Sequence, residues 1–262
     1  MKFMPLVCSS LIAFNLNAFA QTRPELSFDF TNTTGLWQQL GQDIDGEAID
    51  DRSGESVSLS VDGLTVAIGA PDNDGNGVFV GHTRIYRLNE VTNQWEQFGQ
   101  DIDGDATFDD SGESVSVSAD GLTVAIGAPG NDTNGPNSGH VRIYRFNEVT
   151  NQWEQFGQDI DGEDFSDGSG RSVSLSADGL TVAIGAPDND ANGVFVGHTR
   201  IYRFNEVTNQ WEQFGQDIDG DATFDDSGES VSVSVDGLTV AIGAPGNDTN
   251  GSNSGHVRMA RT

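Results

Sequence analysis

The alternation of apolar and polar side chains breaks this chain into short runs of β period. At 56–60 the order Ser-Val-Ser-Leu-Ser places apolar groups on one face and hydroxyls on the other, the period of two that a half-buried strand requires. Asp62-Gly63 supplies a hairpin turn. The chain then runs back through Leu-Thr-Val-Ala-Ile-Gly at 64–69, with Leu, Val and Ile on one face and Thr, Ala and Gly on the other. Pro71 ends that run, because proline has no N–H to give to a ladder. Beyond a loop of Gly, Asn and Asp, a third strand is predicted at 82–88 and, after a turn at 89–94, a fourth at 95–98. No segment reads as a helix.

The pattern recurs. A string Trp-x-Gln-[Leu/Phe]-Gly-Gln-Asp-Ile-Asp-Gly starts at Trp37, Trp95, Trp153 and Trp211, one every 58 residues. A second periodicity lies on top: 70–142 and 186–258 differ only at Gly75/Ala191, Leu88/Phe204, Ala119/Val235 and Pro136/Ser252, so a block of two units was duplicated. Repeats of this size built from short strands indicate a propeller or array. The fold class expected is therefore all-β and β-propeller-like, with four tandem four-stranded blades of 58 residues. Each blade presents a large face (Val57, Leu59, Val66, Ile68) and a small one (Ser58, Ser60, Ala67, Gly69), and stacking large on small lets neighbours bury both. The segment 37–40 reads as a fourth-type strand able to complete the last sheet, whose third-type strand starts at 256–258. The array either closes in this way or forms part of a larger ring. Where Arg142 is followed by Ile143-Tyr144-Arg145, Arg258 is followed by Met259-Ala260-Arg261-Thr262, as in a truncated copy of a longer array.

Composition adds an address. Residues 1–20 combine Lys2, an apolar stretch and a small-residue end at Ala18-Phe19-Ala20, the layout of a signal peptide. Residues 21–36 form an amino-terminal extension and 37–262 the repeat domain. The mature chain is expected to be secreted, extracellular or on the cell surface, with the periplasm as a further location. No later stretch reaches the roughly 20 apolar residues of a membrane helix, so membrane insertion is not expected. Cys8 is the one cysteine and Lys2 the one lysine, so the mature chain has no disulfide to staple it. A formal charge of −29 repels polyanions and excludes nucleic acid as a partner.

The string Ser53-Gly54-Glu55-Ser56-Val57-Ser58-Leu59-Ser60 leading to Ala67-Ile68-Gly69-Ala70-Pro71 resembles the FG-GAP repeat, the blade unit of integrin α-chain propellers and of many secreted bacterial proteins. The resemblance extends over all four units. Ser53, Ser111, Ser169 and Ser227 stand where the family has Phe. The calcium loop that integrin-type blades carry between their first two strands is replaced here by the tight Asp62-Gly63 turn. The resemblance implies a propeller with an adhesive or ligand-binding role, and the family's own calcium site does not carry over. The Ser-x-Asp-Gly turn is equally like that of WD-repeat blades.

Candidate chemistry is acidic. Asp72, Asp74 and Asn76, repeated as Asp188, Asp190 and Asn192, match the first half of a calcium loop, with alternate oxygen ligands and a following glycine. The distal glutamate is absent, Thr83 or Thr199 standing at the twelfth place. Calcium is the cofactor expected if these residues do more than turn the chain. A second set, Asp101, Asp103, Asp105, Asp109 and Asp110 with its repeats, is expected in the crossover between blades, where like charges need solvent or a bridging cation. His82, His140, His198 and His256 occur once per unit, two residues before an arginine, and read either as a ring about an axis or as repeated hydrogen-bonding residues. Trp95 and its equivalents read as blade packing. No nucleophile–base pair or phosphate loop stands out, so the chain is expected not to be an enzyme. The function expected is a binding or adhesion module for an extracellular protein or glycan, with oligomerisation left open. Two alternatives remain: a glycan-acting enzyme with an acidic site at the propeller axis, and a non-functional fragment.

Overall fold

The computed structural model describes residues 37–262; the segments expected from sequence to be a signal peptide (1–20) and an extension (21–36) lie outside the described residues. In the first unit β1 (Ser56–Leu59), β2 (Thr65–Ala70), β3 (His82–Asn89) and β4 (Gln94–Gln97) pair antiparallel in that order, and the short β5 (Ile102–Asp103) pairs back on β3. The second unit repeats them as β6 (Ser114–Val117), β7 (Thr123–Ala128), β8 (His140–Asn147), β9 (Gln152–Gln155) and β10 (Ile160–Asp161). The third gives β11 (Ser172–Leu175), β12 (Thr181–Ala186), β13 (His198–Asn205), β14 (Gln210–Gln213) and β15 (Ile218–Asp219). The fourth has β16 (Ser230–Val233), β17 (Thr239–Ala244) and β18 (His256–Arg261), a three-stranded sheet. The architecture is all-β and propeller-type: the first three units hold their four predicted strands and a fifth short strand that the alternation did not signal, and the fourth holds three strands among the described residues.

Each turn is written locally. Ser60 donates its hydroxyl to the Asp62 carboxylate at 2.6 Å, the same carboxylate accepts the Leu64 N–H at 3.0 Å, and Ser60 Oγ accepts the Thr65 N–H at 3.0 Å. An Asp with its side chain folded onto the following backbone is a favoured turn device, and the geometry recurs at Asp120, Asp178 and Asp236.

The core lies between sheets. Register places Val57 opposite Ile68 and Leu59 opposite Val66 on one face, with Ala67 opposite Ile85 on the other. Ala67, Ile85 and Ile102 of the first unit pack against Val115, Val124, Ile126, Phe146 and Trp153 of the second, and Ala125, Val141, Ile143 and Ile160 meet Leu175, Val182, Ile184, Phe204 and Trp211. Large face meets small face, as alternation predicts.

The seams explain the repeated strings. Ser58 Oγ accepts the Val117 N–H from the next unit at 3.0 Å. A Cβ on Gly69 would meet the Gly112 carbonyl oxygen at 2.0 Å, so the glycine of Gly-Ala-Pro admits the Ser-Gly backbone of its neighbour, to whose Gly112 carbonyl Ser56 Oγ donates at 2.7 Å. Phe98 stacks on Phe146 at 3.9 Å and stands edge-on to Trp153. The Trp153 indole donates to the Phe98 carbonyl at 2.7 Å, and the Gln100 amide bonds both the N–H and the carbonyl of Trp153. Phe98-Gly99-Gln100 is thus a clamp on Trp153 of the next unit.

That clamp also places the start of the repeat domain. Leu40 and Gln42 hold Trp95 of the first unit as Phe98 and Gln100 hold Trp153. No strand forms at 37–40, and β16, β17 and β18 have only one another as partners. The expectation that 37–40 completes the last sheet is corrected: among the described residues no strand pairing joins the first sheet to the last.

Candidate functional site

Two loops come together at one end of each odd-numbered unit. The loop after β2 carries Asp72 to Phe79, and the loop after β5 carries Asp105 to Asp110. Phe108 donates its N–H to the Val78 carbonyl at 3.0 Å and Asp110 donates to the Phe79 carbonyl at 3.1 Å. The rings of Phe79 and Phe108 lie 5.9 Å apart at 57°, and both stay in solvent, 38% and 57% exposed, beside the exposed Val78. The arrangement recurs at Phe195 and Phe224, 6.0 Å apart, with Val194.

These phenylalanines occupy backbone that suits other residues. Phe79, Phe108, Phe195 and Phe224 have φ of 49°, 67°, 49° and 64°, the left-handed region that is sparsely tolerated by bulky side chains. The places equivalent to Phe79 in the other units hold Asn137 and Asn253 at φ 53° and 50°, and those equivalent to Phe108 hold Asp50 and Ser166. Short polar residues adopt this conformation with local hydrogen bonding. Here an exposed aromatic pair takes that conformation instead, at a cost in backbone strain. Alternation gave no signal for it, because both residues lie outside the strands.

The residues singled out for calcium flank this pair. Asp74 accepts the Phe79 N–H at 2.8 Å and Asp190 accepts the Phe195 N–H at 2.6 Å. Asp72 takes the Arg52 guanidinium at 3.4 Å, while Asn76, Asp188 and Asn192 are not buried. None of the six falls in a cluster of three or more acids or histidines among the described residues. The neighbouring acidic set is anchored by its most buried member: Asp109, 1% exposed, accepts the N–H groups of Asp105 and Ala106 and the Asn131 amide. Asp167 and Asp225 repeat those bonds. Backbone donors therefore stabilise the charge of Asp109 and of its repeats Asp167 and Asp225. Trp153 and Trp211 are buried at 3% exposure.

Comparison with known families matches residues 96–144 to the FG-GAP repeat. That segment is an FG-GAP repeat. It begins in β4 and ends in β8, so it contains the seam at which Gly112 approaches Gly69, and the flanking units repeat its sequence. No curated protein matches the chain. Solved structures similar to this chain include hydrazine synthase of Kuenenia stuttgartiensis, at 14% identity and a TM-score of 0.47, covering 79% of this chain and 50% of that one. The periplasmic gluconolactonase of Pseudomonas aeruginosa matches at 14% identity and 0.49, covering 80% and 57%. A putative 6-phosphogluconolactonase of Bacteroides fragilis matches at 13% and 0.44, covering 63% and 38%. The chain thus spans little more than half of these structures at most. Because proteins named as lactonases stand among them, the expectation from sequence that this chain is not an enzyme is withdrawn.

Proposed function

We propose that this chain is a secreted or cell-surface binding and adhesion module that takes an extracellular glycan on its paired phenylalanines. The observation that carries the reading is the placing of Phe79, Phe108, Phe195 and Phe224 in left-handed backbone with their rings in solvent, where the alternate units use short polar residues. An exposed aromatic ring offers a flat apolar surface to the C–H face of a sugar, and the carboxylates of Asp74 and Asp190 beside it offer acceptors to hydroxyls. Two such pairs in one chain allow a repetitive glycan to be gripped twice, with gains in avidity. Calcium belongs to the same proposal: at Asp72, Asp74 and Asn76, and at Asp188, Asp190 and Asn192, it would tighten the loops that carry Phe79 and Phe195.

The test is a glycan array probed with the mature chain and with F79N/F195N, which installs the residue the even units use. The variant is expected to fold, to melt no lower than the parent, and to lose at least tenfold in affinity for the glycans the parent retains. Retained binding in the variant, or a parent that binds an extracellular protein and no glycan, would overturn the glycan reading. Removal of calcium is expected to weaken binding without unfolding the chain.

A further inference from the structure

Each complete unit gathers one histidine and two carboxylates at the opening of its third strand. His82 stands with Glu47 and Asp101, His140 with Asp159 and Asp161, and His198 with Glu163 and Asp217. In each group the nearest nitrogen and the two oxygens all lie within 4.8 Å of one another. The histidines fall in no common group among the described residues: His82 and His198 each meet one acid of their own unit and one of the linker that enters it, and His140 meets two acids that follow β9.

The imidazoles carry the argument. His82, His140 and His198 are 2%, 3% and 1% exposed, and each has a buried ring nitrogen without a hydrogen-bond partner: Nε2 of His82, Nδ1 of His140 and Nε2 of His198. Asp161 Oδ1, in the second group, is also buried and unpartnered. An orphaned polar atom in the interior is destabilising, and here the feature is repeated in three units. A neutral imidazole keeps a lone pair for coordination.

We infer that these three groups are divalent transition-metal sites, with zinc as the reference ion. One imidazole and two carboxylates are a nitrogen–oxygen donor set suited to zinc. Ligand atoms about 2.0–2.2 Å from zinc stand within about 4.4 Å of one another, so the groups need only small side-chain adjustments to close on an ion. The arginine two residues beyond each histidine is already placed as support. Arg84 holds Glu47 at 3.2 Å, Arg142 holds Asp159 at 2.9 Å and Arg200 holds Glu163 at 3.1 Å. A carboxylate accepts at about four lone-pair sites, which leaves room for a metal, and hydrogen bonds to ligating carboxylates orient them.

The units also differ in a way the ligand choice explains. Units one and three draw a glutamate from the linker before their first strand, Glu47 and Glu163. Unit two has Asp105 there, one methylene shorter and held by Arg142, and Asp161 takes its place. Asp161 lies directly across from His140 in the strand register. His256 is only half-buried and belongs to no such group among the described residues. Asp101, Asp159 and Asp217 each stand directly before the short strand that pairs with their histidine's strand.

The test uses the mature chain, stripped with chelator and dialysed against zinc, with the bound metal counted by mass spectrometry. Cobalt serves as a spectroscopic substitute whose visible bands report nitrogen ligation. Three ions per chain are expected, one for each group. H82Q, H140Q and H198Q are each expected to lower the count by one, H256Q to leave it unchanged, and the triple variant to abolish the cobalt bands. D72N/D74N/D188N/D190N is expected to leave the zinc count alone, which separates these sites from the calcium loops. If a histidine variant fails to fold, D101N, D159N and D217N give the same reading at half-buried positions. A parent that binds no zinc, or zinc binding that survives loss of all three histidines, would overturn the inference.

Discussion

The interior seams and the two end faces of this array are made of the same residues in different surroundings. Val115 and Val117 are 8% exposed because the first unit covers them, whereas Val57 and Leu59, at the same places in that first unit, are 64% and 61% exposed. At the other end Val257 and Met259 are 68% and 64% exposed, while Val141 and Ile143, their equivalents in the second unit, are fully buried. Covering one such side chain is worth about 1.5–3 kcal/mol. The difference shows that a unit's face is half of an interface, and that a neighbour supplies the stability that one sheet lacks.

The sharpest way to break the comparison is to thicken a seam. A Cβ on Gly127 would meet the Gly170 carbonyl oxygen at 2.0 Å, and backbone cannot move aside there. A Cβ on Gly243, in the last unit, meets only the Ser230 side chain and carbonyl, the hydroxyl at 2.4 Å. G127A is therefore expected to lose more than about 4 kcal/mol, the range kept for severe core errors, and G243A about 1 kcal/mol or less. Chemical denaturation of the two variants measures both, and equal losses would mean that the seam is not tight.

A smaller contrast lies in the serines that tie one sheet to the next. Ser116 Oγ accepts the Leu175 N–H at 2.9 Å across a seam, whereas Ser232 lies exposed on the last unit. S116A orphans that N–H and is expected to cost about 1–3 kcal/mol, and S232A close to nothing. Amide exchange at Leu175, faster in S116A, locates the lost bond.

The smallest effect concerns Asp110. Burial, with Glu113, Asp72 and Asp109 adding to it, pushes its carboxyl up to about 6. At the open end the same place holds Arg52, exposed and paired with Glu55 at 2.9 Å and with Asp72. Because the folded state disfavours the Asp110 charge, that charge destabilises the chain above about pH 6, and the penalty fades as pH falls toward the unfolded value near 4. Asparagine tolerates the left-handed φ of 54° at this position and carries no charge. D110N is expected to melt a degree or two higher than the parent at pH 7 and equally at pH 4. A gain at both pH values would point to backbone preference instead of charge.

Sequence by itself determined the strands, their faces, the 58-residue unit and the likeness to the FG-GAP repeat, because alternation and turn chemistry are local and the repeats state them four times. It also placed tryptophan in the packing. What the tertiary structure decided is which copies of a pattern are buried. Equivalent Val positions, such as Val115 and Val57 or Val141 and Val257, are core in one unit and solvent-facing in another, since burial depends on a neighbour and not on the residue itself. The route of the amino-terminal segment onto Trp95, the anchoring of Asp109 by backbone donors and the exposed pairing of Phe79 with Phe108 were illegible for the same reason. Each joins residues from separate loops or repeats, up to 55 positions apart. The histidine groups were half legible: their repetition could be read, but cross-strand register and linker path chose the acids that meet them.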